Sequence, residues 1–187
     1  LANDGDADRF GVINENGEYV SPNEIIAILL KHLKERGIDG SVVKTVGSSL
    51  LIDRVAAKLG INVIETAVGF KHVGEAMRKN KVIIGGEESG GLSIQGHIPE
   101  KDGLLANLLI LETMASTGKS LIELQDDLYK IADRFVKGLS AKVITKDDGK
   151  QEESEDDSHY DYIVDLKSRR ASLTSTGIKK AEKYFNI

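Results

Sequence analysis

The sequence has no cysteine among its 187 residues. A disulfide scaffold, a Cys-ligated zinc site, an iron–sulfur cluster and a cysteine nucleophile are therefore excluded. The same lack suits a reducing compartment, and a cytoplasmic protein is expected. Long apolar runs are also missing. The longest, Ile25–Leu30 and Leu108–Leu111, fall far short of the ~18 residues that a membrane span needs. Aromatic residues make up only 5% of the chain. No basic patch with interleaved aromatics occurs, so a nucleic-acid partner is not expected. The first eight residues carry three aspartates and no apolar core, unlike a signal peptide. The chain opens on Leu rather than Met and reads as an internal piece of something longer.

What is present suffices for one ordinary domain with an appendage. A chain of this size buries roughly 70% of its unfolded surface and needs no covalent staples. There are 25 basic and 30 acidic residues, for a net charge of −5. The imbalance is local. The run Asp147–Asp157 (DDGKQEESEDD) holds seven acids and one lysine, a charge of −6, which leaves the remainder at +1. Such a block repels itself and has nothing to bury, so a solvated, mobile loop is expected there.

Turn and cap signals order the rest. Residues 10–20 read as a hairpin around Asn16-Gly17, a strong turn dipeptide. Ser21-Pro22-Asn23-Glu24 opens a helix with a capping box and a proline at its first position. Ile25, Ile26, Leu29, Leu30 and Leu33 form its apolar face, and Gly37 stops it. Ser41–Val46, Ile61–Glu65 and Val82–Ile84 read as strands. Leu50–Leu59 and Lys71–Asn80 are the helices between them. Gly103–Thr117 and Ser120–Lys137 are further helices, the second with Ser120 and Glu123 as another capping box. Strand–helix alternation of this kind implies an α/β fold with a mostly parallel sheet flanked by helices. After Ala141 the pattern turns to a small α+β appendage. Ala141–Thr145 and Tyr160–Asp165 are β-rich, Ser168–Thr174 is placed to form a hairpin with the latter, and Thr176–Phe185 reads as a short helix.

Two loops carry chemistry. Asp4-Gly5-Asp6-Ala7-Asp8-Arg9 sets three carboxylates at alternate positions. Held together they repel unless a hard cation sits among them, and oxygen ligands select magnesium, manganese or calcium over zinc. The bare pattern also fits an acidic turn that binds nothing. An EF-hand is excluded because Arg9 stands where its loop needs glycine. Arg9 suits a phosphate, which guanidinium binds bidentately. The second loop, Gly85-Gly86-Glu87-Glu88-Ser89-Gly90-Gly91, follows an apolar strand. In open α/β sheets ligands bind beyond the carboxyl ends of strands. Glu87 and Ser89 suit sugar hydroxyls, and a Gly-rich turn with solvated acids is the plainer alternative. Glu87 is expected to point at ligand and pack on little, and Glu88 to point away. Lys71 opens a helix after Gly69-Phe70, a place for anion contact or proton transfer. His97 and Lys101 lie in a polar loop where Asp102 is placed to cap the following helix.

Together NDGDADRFG (Asn3–Gly11), GFKHVGEAM (Gly69–Met77), GGEESGGLS (Gly85–Ser93) and GHIPEKDGLLA (Gly96–Ala106) resemble the α-D-phosphohexomutases, especially bacterial phosphoglucomutase/phosphomannomutase enzymes. The resemblance runs from residue 1 to about Leu128. It implies that residues 1–20 end a preceding domain and carry a magnesium loop with Asp4, Asp6 and Asp8 as ligands. Residues 21–128 would be a sugar-binding domain. It further implies Arg9 and Lys71 as catalytic residues, Glu87, Ser89, His97 and Lys101 as substrate contacts, and a hexose phosphate as substrate. Such enzymes move phosphate between C1 and C6 through a phosphoserine. No segment here resembles the phosphoserine loop or the fourth domain's phosphate loop, so the fragment is expected to be inactive alone.

Residues 129–187 resemble something else. Leu128–Leu139 and Tyr160–Ile187, above all LTSTGIKKAEKYF at Leu173–Phe185, are similar to a segment of the translocation ATPase SecA near its preprotein-binding region. That resemblance implies a helix–hairpin–helix with a possible peptide contact, and no ATPase activity.

Overall fold

A computed structural model of the chain describes the backbone of residues 1–136, 141–144, 162–165 and 170–173, and the side chains of residues 1–131. The chain divides into two compact units, Leu1–Ala132 and Asp133–Ile187.

The first unit begins with a small antiparallel sheet. Strand β1 (Ala2–Asn3) pairs with β2 (Phe10–Ile13), and β2 with β3 (Tyr19–Val20). The β2–β3 hairpin turns where Asn16-Gly17 predicts it, with Gly17 at φ 82°. Helix α1 (Pro22–Glu35) follows at once. Ser21 accepts from the Glu24 N–H while the Glu24 carboxylate accepts from the Ser21 N–H, the expected capping box. Ile25, Ile26, Leu29 and Leu30 are fully buried, so truncating any one to Ala costs about 2–5 kcal/mol.

The main sheet is built by β4 (Ser41–Thr45), α2 (Leu50–Lys58), β5 (Val63–Thr66), α3 (Phe70–Lys79), β6 (Val82–Gly86) and β7 (Leu92–Ile94). Its strand order is β5-β4-β6-β7. Strand β4 is parallel to both β5 and β6, and β7 closes the edge antiparallel to β6. The mostly parallel α/β sheet is as expected. Strand β7 and the extension of β6 into Gly85-Gly86 are additions, since by composition the whole Gly-rich run reads as loop. Helices α4 (Gly103–Thr117) and α5 (Leu121–Val136) complete the succession. The expected box at Ser120 and Glu123 caps α5, and the Glu15 carboxylate adds acceptors for the Leu121 and Ile122 N–H groups. Helix α4 buries Ala106, Ile110 and Thr113 while Leu104, Leu108 and Leu111 stay exposed.

One core residue defies its composition class. Lys44, on the central strand β4, is 1% exposed. Its ammonium lies 2.8 Å from Asp53 on α2 and 3.2 Å from Glu65 on β5. Burial disfavours the charged form, but the two carboxylates outweigh it and raise the Lys44 pKa. None of the helices among the described residues is long and apolar enough to cross a membrane.

In the second unit β8 (Ala141–Ile144) runs parallel to β9 (Tyr162–Asp165), which pairs antiparallel with β10 (Arg170–Leu173). The expected hairpin is β9–β10, and β8 makes it a three-stranded sheet. The acidic run 147–157 and the expected helix at 176–185 lie outside the described residues.

Candidate functional site

The aspartate loop joins β1 to β2 and folds back on itself. The Ala7 N–H donates to the Asp4 carbonyl at 3.1 Å. Ala7 takes φ 59°, a left-handed conformation uncommon for a residue with a Cβ. This turn brings one carboxylate oxygen each of Asp4, Asp6 and Asp8 within 4.8 Å of one another. Both Asp4 oxygens accept from Arg9, one from its backbone N–H at 3.1 Å and one from Nε at 2.7 Å. The hydrogen bond from the Arg9 side chain, with its charge, holds Asp4 below the usual carboxylate range. Asp8 Oδ2 pairs with Lys101 Nζ at 2.5 Å. Asp6 is exposed and has no hydrogen bond or ion pair among the described residues. Three converging carboxylates with one left open form a hard-oxygen donor set, which fits magnesium and not zinc.

Main-chain contacts fasten this loop to two others. The Phe10 N–H donates to the Gly90 carbonyl at 3.1 Å, and the Gly103 N–H to the Ala7 carbonyl at 3.0 Å. Glycine is required at both contacts. A Cβ on Gly103 would lie 2.4 Å from the Arg9 carbonyl oxygen, and one on Gly90, which has φ 98°, would lie 2.9 Å from the Phe10 oxygen. The Lys101 stem lies flat on Gly91, where a Cβ would come within 2.4 Å of it. The aspartate loop, the Glu–Ser loop and the start of α4 thus meet at one place.

Within the Glu–Ser loop, the expectation for Glu87 needs correction. Its side chain is buried, 5% exposed, and Oε1 accepts from the Gly69 N–H at 2.9 Å. It ties the loop to the residue just before α3, because β6 and β5 end on the same side of the sheet and bring positions 87 and 69 together. Glu88 turns to Thr45 instead, whose hydroxyl donates to it at 2.5 Å and lies 3.0 Å from the Ser48 hydroxyl. Ser89 is exposed. Lys71 stands exposed in the first turn of α3 with no ion pair among the described residues.

The structure therefore gathers Asp4, Asp6, Asp8, Arg9 and Lys101, and places the Gly90-Gly91 end of the Glu–Ser loop against them. Glu87 connects that loop to the segment bearing Lys71. His97 is tied to Asp102, with Nε2 at 3.0 Å from Oδ2, while the other Asp102 oxygen caps α4 through the Leu105 N–H. Sequence reasoning missed Asn3, whose amide donates to the Arg9 carbonyl at 2.9 Å, and the Thr45–Ser48 pair beneath Glu88. A lone asparagine beside an acidic loop carries no such signal by itself.

Residues 21–132 match the family described as phosphoglucomutase/phosphomannomutase, alpha/beta/alpha domain III. A phosphoglucosamine mutase of Carboxydothermus hydrogenoformans is 39% identical over 132 residues, 70% of this chain and 30% of that protein. One from Bacillus subtilis is 40% identical over 138 residues, 73% of this chain and 31% of that one. Among solved structures, a Thermus thermophilus protein described as a phosphomannomutase superposes with a TM-score of 0.69 at 40% identity, covering 74% of this chain and 31% of that one. The chain spans about a third of the length of these relatives. The family match over residues 21–132 and these relatives show that the chain belongs to the phosphoglucomutase/phosphomannomutase family.

Proposed function

We propose that residues 1–128 supply the metal loop and the sugar-binding loop of a hexose-phosphate mutase. The observation that carries this reading is the backbone hydrogen bond from Phe10 to Gly90, which sets three convergent carboxylates beside a Gly-rich loop bearing Glu87 and Ser89. Asp4, Asp6 and Asp8 would hold Mg2+, which when bound offsets charge on a transferring phosphoryl group. Arg9 uses Nε on Asp4 and keeps its two terminal nitrogens for phosphate oxygens, the fork that matches them. Glu87 uses one oxygen on Gly69 and offers the other to a sugar hydroxyl, with the Ser89 hydroxyl beside it. Lys71 and Lys101 bring cations to the phosphate end, and His97, oriented by Asp102, lies on the segment that leads to Lys101.

Relatives at about 40% identity carry the name phosphoglucosamine mutase. A glucosamine phosphate is thus the first hexose to test, ahead of the glucose and mannose phosphates that the sequence resemblance implies. The chain alone is expected to bind without turnover, because a phosphate carrier is needed for the covalent step. The test is an amide NMR titration. Mg2+ should shift residues 4–9, and glucosamine 6-phosphate should then shift residues 86–91 and 101. Shifts confined to other segments, or none, would refute the reading. The SecA resemblance adds a peptide-binding reading for residues 129–187, which an unfolded-peptide titration of the same chain addresses.

A further inference from the structure

We propose that Lys101 is a displaceable counter-ion of the aspartate loop. Its ammonium neutralises Asp8 in the metal-free protein and is released when a divalent cation enters. The inference rests on the metal-loop reading above.

The three carboxylates face two cations, and the two are held differently. Arg9 is bound through both its backbone N–H and its guanidinium, from a position five residues along the same loop. A carboxylate oxygen has further lone pairs, so these bonds persist when Asp4 also ligates a cation. Lys101 makes one ion pair among the described residues, Nζ to Asp8 Oδ2 at 2.5 Å, between side chains 28% and 29% exposed, and Arg9 Nε stands farther off, 3.7 Å from the other Asp8 oxygen. An ammonium is a compact point charge on a flexible stem, and a partly exposed pair of this kind is weak. A magnesium ion approaches a ligand oxygen to about 2.0–2.1 Å. Ammonium and metal at the same carboxylate then repel across a few ångströms. Of the two cations, Lys101 is the one free to leave. Its stem rests on the bare face of Gly91, so the freed ammonium remains over the Glu–Ser loop, where a substrate phosphate would meet it.

Coupling of this kind is reciprocal: whatever factor the metal contributes to releasing Lys101, removing Lys101 contributes to metal affinity. The test uses the full 187-residue chain with Mg2+ as the probe. Calorimetry compares wild type with Lys101→Met and Asp6→Asn. Lys101→Met should bind about fivefold more tightly, equivalent to about 1 kcal/mol at 1.4 kcal/mol per tenfold. In wild type, acetylation of Lys101 by acetic anhydride, read by peptide mass spectrometry, should quicken by about threefold or more at saturating Mg2+. Lys71 is the internal reference and should not change. Unchanged or weaker affinity in Lys101→Met overturns the proposal. So does tighter affinity without faster acetylation of Lys101, which would mark general charge repulsion only. Asp6→Asn separates the two levels: if it loses Mg2+ binding, the metal loop stands whatever Lys101 does, and if it binds as wild type does, the loop reading fails and the proposal with it.

Discussion

Replacing Glu87 tests whether the Glu–Ser loop is held by its own carboxylate. The side chain is 5% exposed and accepts from the Gly69 N–H at 2.9 Å. A hydrogen bond to a charged acceptor contributes about 1.5–3 kcal/mol, against about 1 kcal/mol for a neutral one. Glu87→Gln keeps an acceptor oxygen and should cost about 0.5–2 kcal/mol, the difference between these two values. Glu87→Ala leaves the Gly69 N–H without its partner and opens space beside it, and should cost about 2–3 kcal/mol. Urea unfolding is the assay. With a slope of about 1–3 kcal/mol per molar, Glu87→Ala should lower the midpoint by about 0.7–3 M at unchanged slope. Glu88→Gln is the comparison. It loses only the charge of a half-buried contact to Thr45, whose hydroxyl can turn to Ser48, and should cost no more than about 1 kcal/mol. If Glu87→Ala unfolds at the wild-type midpoint, the carboxylate does not hold Gly69. It would then be a group free for ligand, as the sequence alone suggests.

Gly103→Ala should destabilise by about 1–3 kcal/mol, the usual cost of overpacking, because its Cβ would sit 2.4 Å from the Arg9 carbonyl oxygen; thermal melts check this, and the variant should also weaken Mg2+ binding. Lys44→Ala should cost about 3 kcal/mol or more by leaving Asp53 and Glu65 without their cation beside a cavity; Lys44→Met leaves the same two carboxylates unpaired and should recover only the cavity part of that cost in the same urea assay. His32 is buried with Nε2 at 2.7 Å from Glu112, and burial, then the nearby Arg36 charge, lower its pKa below 6.5. The unfolded chain therefore takes up the proton first as pH falls, so wild-type stability should decline as pH drops below about 6.5. His32→Gln should lack that slope when unfolding is compared at neutral and acidic pH. Burial, and then the bond to Glu24, push the Tyr129 phenol up to about 12; an absorbance titration of Tyr129→Phe should lack a late-ionising step that the wild type shows.

Much of this is legible in the order of residues, for reasons that are local. Ser21, Pro22 and Glu24 specify a helix start by contacts within four positions, and Asn16-Gly17 specifies a turn in the same way. The alternate aspartates announce an acidic cluster because their convergence needs only the bend at Ala7. What escapes is what depends on distant partners. Strand β7 is three residues long and directly follows a glycine-rich turn, so neither its length nor its composition marks it; its register against β6 does. Glu87 reads as a free loop acid because Gly69, its partner, lies eighteen positions away. Lys44 is a charged residue in a strand that the sequence places without saying which positions are buried. It is buried because α2 and β5 each supply a carboxylate to that face. Gly103 gives no hint that the Arg9 carbonyl lies against it.

The two hydrogen bonds that fix the loops, Phe10 to Gly90 and Gly103 to Ala7, run between main-chain atoms. Main-chain bonds do not depend on which side chains stand nearby, provided the glycines at the points of closest approach are kept. The spacing between the acidic loop and the Glu–Ser loop is therefore a property of the frame, while Arg9, Lys71, Ser89, His97 and Lys101 are furnishings that can be exchanged without moving it. Substitution at these positions alters what the frame presents while leaving the separation of the two loops as it is.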